Sequence, residues 1–354
     1  MQCSKVEPST NSVVNIYDGL IVTSIVTINI PQTEDDKKKD QQRVTFSGED
    51  DGVDTAIFLK NIVLSQDSRD KTGKRVFEGI EVGIEEVKRM INLQTAAGKG
   101  KPLFCVHGFN TEPEEMFKDT VTGSYYQAKH RFETRSNQDG TKFGYYPVPV
   151  IWPNSGDYKE DTEACKKIGA GLRALLNGTE SMVRKSLLCH SMGNKVLCEA
   201  AATVNGIEAK FENIFMVAAD IDYDIFHKGP TTTTRMDQST KKLMAKNIFN
   251  MLKKGDNDKP IGKIYVLHSK SDNMLRLSGL VVNSQARLGL LGVKQRKTGF
   301  FRYADDDELV VDEYRNYIDN KDCRDFPMED NFLFKNHSYQ FENWAIDFYE
   351  EKYV

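Results

Sequence analysis

The sequence has no excess of basic side chains, no paired cysteines, no long apolar run and no low-complexity linker. Its 48 Lys and Arg stand against 52 Asp and Glu, for a net charge of −4, and the isoelectric point is near 6.0. That balance excludes a nucleic-acid module, which carries a basic excess or a basic stripe. The longest uncharged stretch, residues 19–33, is short and rich in Thr, Ser and Asn, so no stable membrane insertion is expected. The first residues, Met1-Gln2-Cys3-Ser4-Lys5-Val6-Glu7-Pro8, lack the apolar centre of a secretory signal. The six cysteines (Cys3, Cys105, Cys165, Cys189, Cys198 and Cys323) form no CxxC pair. A reduced, cytoplasmic protein is therefore expected.

Cofactor loops are missing as well. Gly98-Lys99-Gly100-Lys101-Pro102 and Gly262-Lys263-Ile264 both lack the GK[ST] of a phosphate loop. Asp220-Ile221-Asp222-Tyr223-Asp224 opens like a calcium loop, but Ile225 replaces the turn glycine and Thr231 the terminal glutamate. No metal and no organic cofactor is called for.

What is present is a change of pattern along the chain. The first 70 or so residues are β-rich: Leu20–Ile30 is dense in Val, Ile and Thr, and segments 43–46 and 56–59 are expected to pair as antiparallel strands. From Arg75, Val76, Ile80, Ile84, Val87 and Ile91 recur at helical steps, which predicts a helix closed by Gly98. Beyond it, short apolar runs at 103–106, 147–152, 187–189, 214–218 and 264–267 alternate with helical patterns at 112–132, 159–176, 194–208 and 240–252. Continuous apolar strands separated by helices are what a parallel sheet covered on both faces requires. Expected domains are a β-rich extension over 1–75, packed on a catalytic domain over 76–354. The basic, amphipathic stretch Lys241–Lys254 is expected to be a covering helix with solvated lysines.

The most informative segment is Ser186-Leu187-Leu188-Cys189-His190-Ser191-Met192-Gly193-Asn194. An apolar strand enters a tight turn centred on a serine, and a helical pattern follows at once. That is the context of a G-x-S-x-G nucleophile elbow, in which the flanking residues must be small because strand and helix backbones come close. Cys189 takes the first glycine position, so Ser191 is the candidate nucleophile. About 80 residues earlier, Leu103-Phe104-Cys105-Val106-His107-Gly108-Phe109-Asn110 is a second apolar strand ending in a turn. In this architecture such a turn gives one backbone N–H of an oxyanion hole and the residue after the nucleophile gives the other. The expected donors are Phe109 and Met192.

The acid and the base follow the nucleophile in that order. Past Ser191 the histidines are His227, His268 and His337. His227 lies beside a polar, Thr-rich stretch and is expected at the surface. His268 ends an apolar strand only four residues before Asp272, too near to come from a separate loop. His337 precedes the terminal helical pattern on a late loop, where a base is expected. Asp272 follows the last strand before that loop and is the favoured acid, with Asp220 and Asp222 as competitors. His107 and His190 are expected to flank the site, and His130 to lie on the surface.

With these segments assembled, the chain resembles the α/β-hydrolase superfamily, and within it a subfamily of unknown function. The matching segments are His107-Gly108-Phe109-Asn110, Trp152-Pro153-Asn154-Ser155-Gly156-Asp157-Tyr158 with Asp161, the Ser191 elbow, Ala218-Ala219-Asp220-Ile221-Asp222 and Arg287-Leu288-Gly289. Cys189, and Ala219 where the subfamily often has Pro, depart from its pattern. The resemblance spans roughly residues 101–344. It implies an α/β-hydrolase fold, with a mostly parallel central sheet and helices on both faces; the N-terminal antiparallel β extension, residues 1–75, is read from the residue pattern and falls outside the resemblance. It also implies serine hydrolase chemistry but no substrate; from the Ser191, Asp272 and His337 set, hydrolysis of a small-molecule carboxylic ester or thioester is expected. A non-catalytic binding protein, an acyltransferase and a peptidase are the alternatives it leaves open.

Overall fold

A computed structural model describes residues 20–24, 59–69, 75–82, 84–96, 100–109, 144–152, 156–182, 184–227, 237–283, 286–293, 314–324 and 337–352. Among the described residues nine strands form one sheet: β1 (Leu20–Ser24), β2 (Leu59–Arg69), β3 (Arg75–Val82), β4 (Lys101–Val106), β5 (Tyr145–Ile151), β6 (Ser186–His190), β7 (Asn213–Val217), β8 (Lys263–His268) and β9 (Ile318–Asp322). Their order is β3-β2-β1-β5-β4-β6-β7-β8-β9. β1, β2 and β3 pair antiparallel, and every pairing from β1–β5 to β8–β9 is parallel.

Side chains alternate across this sheet with a period of two, and both faces are apolar. Phe104, Val106, Leu187, Cys189, Ile214, Met216, Ile264 and Val266 join one cluster. Leu103, Cys105, Leu188, Phe215, Val217, Tyr265 and Leu267 join the other. The first face is covered by α1 (Ile84–Ala96), α2 (Tyr158–Gly178), α3 (Gly193–Ala201) and α4 (Gln238–Asn250), through residues such as Val87, Leu172, Val196 and Ile248. The second is covered by the C-terminal helix, here α7 (Asn343–Glu351), through Ala345, Ile346 and Tyr349. Between α4 and α7 stand three short elements: α5 (Asn273–Leu277), a π-helical turn (Ser278–Val282) and α6 (Leu288–Leu291). Each full burial of a Leu, Ile, Val or Phe contributes about 1.5–3 kcal/mol relative to exposure, so this two-faced core dominates the stability.

Strand order turns back at β4. The chain runs from β4 outward to β5, then returns to the other side of β4 as β6. The C-terminal ends of β4 and β6 therefore lie side by side, which is where α/β sheets place their clefts.

Three elements differ from the sequence expectations. Residues 75–82 form strand β3 rather than the first turns of a helix, and the helix begins at Ile84. Val76, Ile80 and Ile84 are four apart, a spacing shared by one helix face and one strand face. α3 stops at Ala201 instead of 208, before a loop in which Gly206 takes φ +57°. Lys241 is not solvated: it lies buried on α4, with Nζ 2.7 Å from the buried carboxylate of Asp224. Segments 43–46, 56–58 and 112–132 and His130 lie outside the described residues.

Candidate active site

β6 runs into α3 through a turn of two residues, and Ser191 holds φ +49° within it. A left-handed conformation is costly for a residue with a side chain, and it persists only where the surroundings enforce it. Here Ser191 N donates to Val217 O at 2.9 Å, while Ser191 O accepts from Asp220 N and Asn194 N, both at 3.1 Å. The Asn194 side-chain amide donates to Ser191 O at 3.1 Å, to Cys189 O at 2.8 Å and to Val217 O at 3.4 Å. A Cβ on Gly193 would lie 2.5 Å from His107 O and 2.6 Å from Val106 O, so β4 and the head of α3 touch backbone to backbone. This is the physical need behind the small residue after Met192.

Asp272 and His337 reach Ser191 from two other loops. His337 Nε2 is 2.9 Å from Ser191 Oγ, and His337 Nδ1 is 2.8 Å from Asp272 Oδ2. Asp272 is also the N-cap of α5: its Oδ1 accepts from Leu275 N at 2.9 Å, which fixes the carboxylate plane. Both oxygens are thus committed, one to the helix and one to the imidazole. All three side chains are buried. Burial drives the Asp272 carboxyl above the usual carboxylate range despite the opposing pull of His337. Burial alone would depress His337, but the facing Asp272 outweighs it and the imidazole lies above its ordinary value.

His190 and His107 flank this row as expected. Burial and the neighbouring His337 push the His190 imidazole down to about 3. The neutral ring can donate its Nε2–H to His337 O, 3.1 Å away. His107 is pushed down to about 4 by burial. Its Nδ1 is 2.7 Å from Gly108 O, and its Nε2 is 2.9 Å from Trp152 N, a pattern the neutral Nδ1–H tautomer satisfies. The ring also stacks on Trp152 at 4.9 Å, and Trp152 Nε1 donates to His107 O at 2.7 Å. His107 therefore ties the turn after β4 to the end of β5. That turn abuts the elbow: a Cβ on Gly108 would lie 2.8 Å from Ser191 Cβ. Phe109 follows it directly, and Met192 stands at the N-terminal end of α3.

The remaining candidates sit elsewhere. His227 is buried, not at the surface: its Nε2 is 3.2 Å from Val293 O and its ring packs edge-on against Tyr223. His268 is buried at the end of β8. The carboxylate hydrogen-bonded to His337 is that of Asp272; Asp220 and Asp222 instead hold Arg287, with Nε 2.7 Å from Asp220 Oδ1 and NH1 2.7 Å from Asp222 Oδ1. Tyr158 OH donates to Asp220 Oδ2 at 2.6 Å and Ser278 Oγ to Asp220 Oδ1 at 2.6 Å. Sequence reasoning assigns no role to Asn194, Tyr158 or Arg287, although their segments stand out, and weighs Asp220 and Asp222 only as the acid. Among the described residues, no group of His, Cys, Asp and Glu side chains is arranged to hold a metal ion, and no helix is long and apolar enough to cross a membrane.

No curated protein matches the chain. Among solved structures it is similar to a putative cell surface hydrolase from Lactobacillus plantarum, at 11% identity and TM-score 0.28, covering 53% of this chain and 79% of that one. It is similar to a metagenomic carboxyl esterase at 14% identity and TM-score 0.35, covering 72% and 77%. It is also similar to an esterase from Exiguobacterium antarcticum at 9% identity and TM-score 0.35, covering 84% and 98%. Residues 86–305, more than half of the chain, match the family described as alpha/beta hydrolase of unknown function (DUF900). The chain belongs to this family of α/β hydrolases.

Proposed function

We propose that the protein is a serine hydrolase that cleaves a small-molecule carboxylic ester or thioester through an acyl-Ser191 intermediate. One observation carries this reading: Ser191 Oγ, His337 and Asp272, from three separate loops at one end of the sheet, form a single hydrogen-bonded row with links of 2.9 and 2.8 Å. In the first half-reaction His337 Nε2 takes the Ser191 proton as Oγ attacks the substrate carbonyl carbon. The resulting oxyanion is received by the backbone N–H groups of Phe109 and Met192. Each such donor typically lowers the barrier by about 3 kcal/mol. The Nε2–H then protonates the leaving alcohol or thiol, and the carbon–heteroatom bond breaks. A water, deprotonated by His337, next attacks the acyl carbon, and collapse of that intermediate returns the proton to Ser191 and frees the acid. Throughout, Asp272 holds the imidazole in the Nδ1–H tautomer and favours the transient imidazolium. The catalytic unit is assigned to residues 76–354, with 1–75 as the β extension.

The test is covalent labelling by a fluorophosphonate, combined with a panel of esters of increasing acyl length. Wild type should label and turn over an ester. Ser191→Ala should lose the label and essentially all turnover. A folded wild type that neither labels nor hydrolyses any ester overturns the proposal.

A further inference from the structure

Four residues from the segments that carry the resemblance have no part in that reaction: Tyr158, Asp220, Asp222 and Arg287. They meet beside the elbow. Arg287 is almost completely buried, and its guanidinium grips one short loop three times: Nε on Asp220 Oδ1, NH2 on the Asp220 main-chain oxygen, and NH1 on Asp222 Oδ1. The loop is paired along its backbone with residues 286–289, through Tyr223 N to Ala286 O at 3.1 Å, Leu288 N to Ile221 O at 2.8 Å and Gly289 N to Ala219 O at 2.9 Å. A Cβ on Gly289 would fall 2.1 Å from Ala219 N, so only glycine allows the approach. The Arg-Leu-Gly segment is thus a grip followed by a close contact.

We propose that Arg287 and Asp220 are positioning residues: Arg287 holds the Asp220 backbone so that the Asp220 N–H fixes the carbonyl of Ser191, and with it the aim of the nucleophile at His337. The inference rests on the serine-hydrolase reading above. Ser191 needs such a hold because its φ is +49°. Two of the three donors to its carbonyl belong to Asn194, on the helix that follows; Asp220 N is the one that comes across from the end of β7.

The same cluster reaches the other loops of the site. Ser278 Oγ bonds Asp220 from the π-helical turn, which follows directly on α5, the helix capped by Asp272. Asn283 closes that turn, with its N donating to Ser278 O at 2.9 Å, and sends its side-chain amide to Ser278 Oγ at 2.9 Å and Tyr158 OH at 3.0 Å. A π turn is rare and is often found at functional sites; here it puts Ser278 and Asn283 on one cluster. The ring of Tyr158 meets Phe109 edge-on at 5.6 Å. Asp220 therefore joins the loops bearing the nucleophile, the acid and a proposed oxyanion donor, the first through its main-chain N–H and the other two through its carboxylate.

That carboxylate also acts through its charge. Burial would raise Asp220, but Arg287, Ser278 and Tyr158 outweigh it and keep the carboxyl below the usual range. Lys195 on α3 faces it too. The charged or titratable groups facing His337 are Asp272 from the β8 loop, Asp220 from the β7 loop and His190 from β6. Asp220 raises His337, so its loss should move the acidic limb of kcat/KM to lower pH.

The decisive variant is the double replacement Asp220→Asn with Arg287→Met, which removes the deeply buried pair together and leaves unpaired only Asp222, the more exposed of the two carboxylates. It should keep its thermal midpoint and KM near wild type. Its kcat for a p-nitrophenyl ester and its fluorophosphonate labelling rate should fall about tenfold or more, as misplacement of a nucleophile predicts. Its acidic limb should shift down. Arg287→Lys keeps the charge but loses the fork, so it should lose kcat while holding the wild-type acidic limb. Even if the double variant fails to fold, this single variant decides the matter. Wild-type kcat and labelling in either folded variant overturn the clamp alone. An inert wild type overturns the serine-hydrolase reading, and the clamp with it.

Discussion

Asn194 shows how much a single side chain can do at this site. Its amide nitrogen is shared among three carbonyl oxygens, those of Cys189, Ser191 and Val217, and the residue is fully buried. It joins the ends of β6 and β7 and the strained serine between them. Asn194→Asp is the sharp test because it keeps the shape and exchanges the donor for an acceptor. An ionised carboxylate would face three carbonyl oxygens, and a protonated one could satisfy only one of them. The variant should lose at least about 2 kcal/mol in urea unfolding and most of its fluorophosphonate labelling. Wild-type stability in Asn194→Asp would show that the amide contributes little. Ser191 and Asp272 could be picked out in the sequence because each follows an apolar strand, and His337 because it lies on a polar stretch just before the terminal helical pattern. Asn194 was not, since its work is done on backbone oxygens that leave no trace in residue type. His227 was misjudged for a related reason: its sequence neighbours are polar, but its contacts in space are Tyr223 and Val293.

At the scale of elements, the parallel strands declared themselves as uninterrupted apolar runs because both sheet faces are covered, and the α/β class followed. Strand β3 did not, since its apolar residues fit a helix and a strand equally well until β2 is there to pair with it. Asp220 and Asp222 competed with Asp272 on chain order alone. What separates them is Arg287, 65 residues or more away in sequence and bonded to both. Packing of α2 on α3 gives another case in which tertiary context reverses a local rule. Gly169 lies in the middle of α2, where glycine costs about 1 kcal/mol relative to alanine. Propensity alone predicts that Gly169→Ala stabilises. A Cβ there, however, would fall 2.7 Å from Ala200 N and from Glu199 Cβ, and 2.8 Å from Glu199 C. Much of what it meets is α3 backbone, which cannot move aside without shifting the helix that begins at the elbow. The expected result is a lower thermal midpoint, with a loss of about 1–3 kcal/mol. A higher midpoint would mean that the two helices separate freely.

Across the whole molecule, the placement of histidines sets the response to acid. His107, His227 and His268 are pushed down to about 4, and His190 to about 3, chiefly by burial. In the unfolded chain each takes up a proton near 6.5. Below that pH the unfolded state binds protons that the folded state refuses, so stability present above 6.5 is lost as pH falls toward the folded values. By pH 5 each group costs on the order of 2 kcal/mol. His337 works in the opposite sense. Its folded value is raised by Asp272, so its contribution is complete at low pH and fades as pH rises through that value. Asp272, raised by burial, also favours the folded state on protonation. Four lowered imidazoles against these two groups leave a net loss of a few kcal/mol between about pH 7 and pH 5. Urea midpoints measured across that interval should therefore drop steeply on the acid side. His268→Gln, at the end of β8 and outside the Ser191 row, should flatten the slope by one group's share whatever it does to the level. A midpoint that holds or rises toward pH 5 would mean that these imidazoles take up protons in the folded protein. Their neutral hydrogen-bond roles, including the His107 tie between β4 and β5, would then not stand.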